Sequence, residues 1–140
     1  MLEQIKVVTL EQAVAAPLCT HRLALAGAEI IKIERPEGDF ARYYDSAVFG
    51  ESAYFVWLNA GKKSVVLDLR SDQGLSALKQ LIQRADVLVQ NLKPGALAKL
   101  GIDLAAVHEQ RPDFISVSIA GFSPDGPGRN RKAYDLLMQA

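Results

Sequence analysis

A single cysteine, Cys19, among 140 residues excludes any intrachain disulfide framework. Cys19 opens an apolar helical stretch, which suits a small packed residue better than a reactive thiol. The two histidines, His21 and His108, are isolated from any metal-ligand spacing and read as ordinary helix residues. Charge excess is absent: 16 basic and 16 acidic residues cancel, so no global field draws nucleic acid or an anionic membrane. No apolar run approaches the length of a membrane span. At the N-terminus, Glu3, Lys6 and Glu11 interrupt any signal-peptide core. These absences describe a soluble, cytoplasmic protein with neither nucleic acid nor membrane as partner. Glycine is missing where a nucleotide fold would need it. The stretch TLEQAVAAPL after the first apolar run contains none, so the G-x-G-x-x-G turn and the P-loop are both lacking and a dinucleotide cofactor is disfavoured.

What is present alternates. KVVTL (6–10), EIIKIE (29–34), SVVLDL (64–69), DVLVQ (86–90) and FISVSI (114–119) are short β-branched runs. PLCTHRLALAGA (17–28) between the first two has helical character, with Pro17 suited to a first turn. SDQGLSALKQLIQRA carries Leu75, Leu78, Leu81 and Ile82 on one face, with Ser71 or Asp72 as N-cap. PGALAKLG predicts a short helix, and DLAAVHEQ another, capped by Asp103 and stopped before Arg111-Pro112. Residues 36–62 are less regular, an acidic turn followed by a concentration of aromatics. Near-continuously apolar strands separated by helices predict an α/β fold, an open Rossmann-like, mainly parallel sheet with flanking helices. Ligands of such sheets bind beyond the carboxyl ends of the strands. Cations punctuate those ends: Arg35, Arg70 and Lys93, with Lys62 and Lys63 before strand three and Arg129, Arg131 and Lys132 in the last loop. Taken singly, each is an ordinary solvated loop residue. Together they suit a small molecule carrying several phosphates.

Four stretches in order carry a more specific signal. They are AAPLCTHRLALAGAEIIKIERPEGD (15–39), YFVWLNAGKKSVVLDLRSDQG (54–74), ADVLVQNLKPGALAKLGID (85–103) and ISVSIAGFSPDGPGRNRKAYD (115–135). This sequence resembles the N-terminal part of the class III coenzyme A transferases, the family of formyl-CoA transferase, carnitine CoA-transferase and α-methylacyl-CoA racemase. The resemblance implies transfer of CoA from an acyl-CoA thioester to a carboxylic acid, through an aspartyl anhydride and an enzyme–CoA thioester, with no metal. Binding of the remote CoA body would position a weak carboxylate nucleophile. It also implies an interlocked homodimer for full-length members.

Carried over residue by residue, the resemblance puts Arg35 near the adenine or adenosine phosphates, and Leu67, Asp68 and Arg70 along the nucleotide. Asn91, Leu92 and Lys93 would contact pantetheine or pyrophosphate, with Lys99 a further basic position and Lys132 near the thioester. Ala13, Val14 and Tyr54 would border the acyl pocket, and Tyr134 and Asp135 would support catalysis. The family's nucleophilic aspartate lies in a Gly-Asp loop beyond the position of Asp135. Residues 1–140 are therefore expected to form a CoA-binding α/β domain truncated before that loop and the second domain, inactive alone. A tyrosine at 134, where the racemases use histidine as a base, favours transfer over racemisation. Val14 stands where formyl-CoA transferases carry glutamine. The stretch GDFARYYDSAVFGESAYFVWLN (38–59) is similar to members acting on short dicarboxylic acids, with Arg42 as partner of the distal carboxylate. The alternatives are a racemase relative or a non-catalytic CoA-binding module.

Overall fold

The computed structural model describes residues 1–123, 125–129, 131 and 133. Five strands, β1 (Lys6–Leu10), β2 (Glu29–Glu34), β3 (Lys63–Val66), β4 (Val87–Gln90) and β5 (Ile115–Ser118), form one sheet in the order β3-β2-β1-β4-β5. Every pairing is parallel. The helices are α1 (Ala15–Leu25), α2 (Ala53–Asn59), α3 (Asp72–Arg84), α4 (Ala96–Lys99) and α5 (Leu104–Gln110), with a 3₁₀ turn at Phe40–Tyr43. None is long and apolar enough to cross a membrane among the described residues.

Alternation along the strands sorts the core into two layers. Val8, Leu10, Ile33 and Leu88 pack with Leu78 and Ile82 of α3, Leu97 of α4 and Phe114. On the other face Val7, Ile30 and Val89 pack with Ala16, Leu23 and Ala24 of α1. Along β1 and β2 the second layer is apolar only at its amino end. Further along the same face come Thr9 and Glu11 of the β1 side, Lys32 and Glu34 of β2, all buried. α2 packs against α1 and covers this polar half.

The elements follow local chemistry. Ser71 caps α3, its Oγ accepting from the Gly74 N–H at 3.0 Å. Asp103 caps α5, accepting from the N–H groups of Ala105 and Ala106. β3 ends at Val66, three residues short of the predicted 69. The Leu67 N–H still bonds the Glu34 carbonyl, but Leu67 and Leu69 then turn under the sheet onto the α3 layer. Residues 36–62, read as irregular, contain the 3₁₀ turn and α2. Ser52 caps α2, and Asp45 accepts from the Ser52 hydroxyl and the Ala53 N–H. Cys19 is half-buried in α1, not fully buried. His21 is buried, and its Nδ1 lies 3.2 Å from the Ala60 carbonyl.

Candidate functional site

β1 is central, and the chain runs from it to β2 on one side and returns as β4 on the other. The crevice beyond the carboxyl ends of β1 and β4 is thus the topological switch point, the preferred ligand position of such sheets. Glu11–Val14 lead out of β1 here, and Asn91–Lys93 lead out of β4. The Asn91 side chain grips the first loop as a strand would: its Oδ1 accepts from the Gln12 N–H at 3.0 Å and its Nδ2 donates to the Gln12 carbonyl at 2.8 Å. Ala13 has φ +64°, a conformation that a non-glycine residue adopts only when its surroundings impose it. Its N–H donates to Asp39 Oδ1 at 3.1 Å. Val14 then opens α1 with no side-chain cap. The crevice therefore gathers Ala13, Val14, Asn91, Leu92 and Lys93 from sequence-distant segments. Leu92 turns inward onto the apolar layer, while Lys93 is exposed.

A second group lies beyond β2 and β3. Arg35 and Arg70 reach toward the same carboxylate, Glu37, at 3.9 and 4.0 Å. Arg35 also donates to the Gly38 carbonyl, and Arg70 is held by Asp68 at 2.9 Å. Both guanidiniums are largely exposed. The Asp68 carboxyl is held below its usual range by the Arg70 hydrogen bond, then by the Arg70 backbone N–H. An open cleft of about 380 Å³ adjoins them, lined by Glu34, Glu37, Arg42, Tyr43 and Glu51 among others.

Not every cation belongs to this edge. The Lys62 ammonium is buried, donating to Glu11 at 2.7 Å, to the Pro17 carbonyl at 2.9 Å and to Asn59. Burial lowers its pKa although Glu11 opposes the shift. Lys63 pairs with Glu29 at the amino end of β2. Neither is available to a phosphate at the carboxyl edge, a correction to the grouping drawn from the sequence. Lys99 is exposed in the last turn of α4. Tyr54 stands on α2, in ring contact with Tyr44 and Trp57. Arg42, expected to meet a substrate carboxylate, is engaged by Glu34 through two hydrogen bonds of 2.9 and 2.8 Å and stacks 3.8 Å from the Phe55 ring centroid. Lys132, Tyr134 and Asp135 lie outside the described residues.

The residues that sequence reasoning missed form a buried polar chain beneath the loop. Lys32 Nζ donates to Asp39 Oδ2 at 2.7 Å and to Asn59 Oδ1 at 2.8 Å. Glu11, bound by Lys62, also accepts from Thr20 at 2.6 Å. The available signal was Lys32 itself, a cation in the middle of an otherwise apolar strand: buried charge at such a position requires a partner.

Residues 2–140 match the model of CoA-transferase family III, and the chain belongs to that family. It is 37% identical to a succinyl-CoA:mesaconate CoA-transferase of Haloarcula hispanica, over 99% of this chain and 37% of the relative. It is 37% identical to a formyl-CoA:oxalate CoA-transferase of Streptomyces coelicolor, covering 34% of that protein, and 36% identical to the human succinyl-CoA:glutarate CoA-transferase, covering 32%. A crystal structure of a CAIB/BAIF family protein from Brucella suis superposes with a TM-score of 0.90 at 37% identity, over 98% of this chain and 38% of the other. The chain spans about a third of the length of these curated relatives.

Proposed function

We propose that this chain supplies the CoA-binding portion of a CoA-transferase that moves CoA from an acyl-CoA thioester to a carboxylic acid acceptor. The observation that carries the reading is the switch-point crevice, where the loop of Ala13 and Val14 is fastened to Asn91 with exposed cations at its flank. Arg35 and Arg70 supply charge for the nucleotide phosphates, Lys93 and Lys99 supply further charge, and Leu67 with Asp68 shapes the adjoining turn. Asn91 and Leu92 hold the pantetheine wall, and Ala13 and Val14 border the acyl group. Lys132, Tyr134 and Asp135 are proposed to complete the thioester end. In this chemistry a carboxylate displaces CoA thiolate from the thioester carbonyl, giving an anhydride. The thiolate then attacks the anhydride, releasing the donor acid and leaving CoA on the enzyme; the acceptor acid repeats the two steps in reverse. The nucleophilic aspartate is assigned to the family's Gly-Asp loop, outside these 140 residues.

Short dicarboxylic acids are the proposed acceptors. The aromatic stretch 38–59 supports acceptors of the mesaconate or succinate type, Val14 in place of the formyl-CoA transferases' glutamine argues against oxalate, and two of the relatives are named for mesaconate and glutarate. The bidentate Glu34 pairing supports a structural role for Arg42, so acceptor recognition is assigned to the loop and not to that guanidinium. Calorimetric titration of the 140-residue chain with CoA tests the reading. Binding should weaken roughly tenfold on removal of the 3′-phosphate and again in Arg35→Ala/Arg70→Ala, as loss of charge-assisted contacts requires. No heat of CoA binding from the folded chain would sink it.

A further inference from the structure

Three consecutive residues of the β1–α1 loop are each fixed by a different side-chain partner. Glu11 is bound by Lys62 and Thr20. Gln12 is bound by Asn91 through both backbone groups. Ala13 is bound by Asp39. The last contact differs from the others because it holds a strained residue. At φ +64° an alanine reverts to an extended or right-handed conformation unless something retains it, and that reversion would swing Val14 and the start of α1.

Asp39 is suited to that task by what surrounds it. It is almost wholly buried, and its Oδ2 is pinned by the equally buried Lys32 at 2.7 Å. Lys32 is pinned in turn by Asn59 at 2.8 Å, and Asn59 is tied to its own helix through the Phe55 carbonyl at 2.8 Å. With Oδ2 fixed, Oδ1 has one direction left, toward the N–H groups of Ala13 at 3.1 Å and Ala41 at 2.9 Å. The carboxylate's own backbone is also tied: the Asp39 N–H donates to Glu34 at 2.9 Å. The conformation of Ala13 is therefore dictated from α2 and β2, through a carboxylate that cannot rotate. Of the two arginines assigned to the nucleotide, Arg70 stands apart from this chain of contacts, on Glu37 and Asp68, while Arg35 meets it only at the Gly38 carbonyl.

We propose that Asp39, oriented by Lys32, is a positioning residue that sets acyl-group selectivity by holding Ala13 and Val14 in place, while contributing little to binding of the CoA body. The proposal rests on the reading of Ala13 and Val14 as the border of the acyl pocket. Its test compares affinities of the 140-residue chain for succinyl-CoA and for free CoA, in the wild type, Asp39→Asn and Asp39→Ala. The wild type should discriminate between the two ligands. Asp39→Ala should reduce that discrimination by about tenfold, with CoA affinity within about twofold of wild type. Asp39→Asn keeps an acceptor for the Ala13 N–H but loses the charge facing Lys32; it should fall between them, and it keeps the test open if the alanine variant does not fold. Hydrogen exchange at the Ala13 amide should accelerate in both variants, while the amides of Leu88 and Val89 in the core stay protected. A parallel fall in affinity for both ligands, unchanged discrimination, or equal wild-type affinity for the two ligands would each overturn the proposal and leave CoA binding standing. Absence of CoA binding by the wild type would instead remove the functional reading itself.

Discussion

Glu34, almost wholly buried, accepts four hydrogen bonds. It accepts from Arg42 twice, from the Ser64 hydroxyl at 2.6 Å and from the Asp39 N–H. Burial pushes its pKa up, but the Arg42 and Ser64 hydrogen bonds, the Asp39 N–H and the Arg42 charge outweigh it and hold the group at about 2. In the unfolded chain the same group titrates in the ordinary glutamate range near 4.5. The folded pKa is the lower one, so the stabilisation is fully present above pH 4.5 and is lost as pH falls toward 2. It is worth about 3 kcal/mol. Chemical denaturation between pH 7 and pH 2 should show that loss, and Arg42→Met should remove most of it while costing about 3 kcal/mol at neutral pH. A variant as stable as the wild type would mean that the guanidinium is free for another partner, reopening a direct role in binding a substrate carboxylate.

At the scale of elements, the first turn of α3 joins stability to the edge proposed for the nucleotide. Ser71 Oγ accepts from the Gly74 N–H and donates to the Asp68 carbonyl at 2.8 Å. A Cβ on Gly74 would stand 2.2 Å from that same carbonyl oxygen, so only glycine lets the helix approach the turn holding Asp68 and Arg70. Gly74→Ala should cost more than about 2 kcal/mol, whereas Ser71→Ala should cost about 1 kcal/mol. Thermal melts of the two variants check the order, and a melting temperature for Gly74→Ala equal to that of the wild type would show that the turn moves freely.

The same elements mark what the sequence made legible. The central strands β1, β2 and β4 are readable because parallel strands buried on both faces are rich in Val, Ile and Leu, and the α3 and α5 caps because hydroxyl and carboxylate side chains answer the free N–H groups of a first turn. β3 reads longer in the sequence than it is because Leu67 and Leu69 continue the apolar alternation while serving the layer below. α2 is hidden because its sequence, AYFVWLN, carries no polar face; two of its three aromatics, Tyr54 and Trp57, are exposed. At the site, Arg35, Arg70 and Asn91 stood out as polar residues directly after strands. Lys32 carries a signal as a cation inside a strand, but its partner Asp39 does not, since the pairing depends on a turn folding back over a strand, and nothing in a linear spacing of seven residues announces that.

For the molecule as a whole, the sheet order makes one loop the hub: Glu11–Val14 leaves the central strand and is held by groups reached through β2, α1, α2 and β4. If that hub sets acyl selectivity, the selectivity should travel with this part of the chain. The Streptomyces coelicolor relative, named for formyl-CoA and oxalate, allows a direct test. Replacing its matching third with residues 1–133 of this protein introduces Val14, together with Asp39, Lys32 and Asn91 that fix the loop, and leaves the rest of that enzyme intact. The chimera should transfer CoA, and its kcat/KM for succinate relative to oxalate should exceed that of the parent by about tenfold, the scale that reshaping one wall of a pocket provides. Asp39→Asn in the chimera should reduce the gain while sparing the KM for the CoA donor. A folded, active chimera that keeps the parent's oxalate preference would move acceptor choice to the remaining two-thirds of the architecture. The loop would then be a support for CoA alone, and the strain at Ala13 would serve packing, not selectivity.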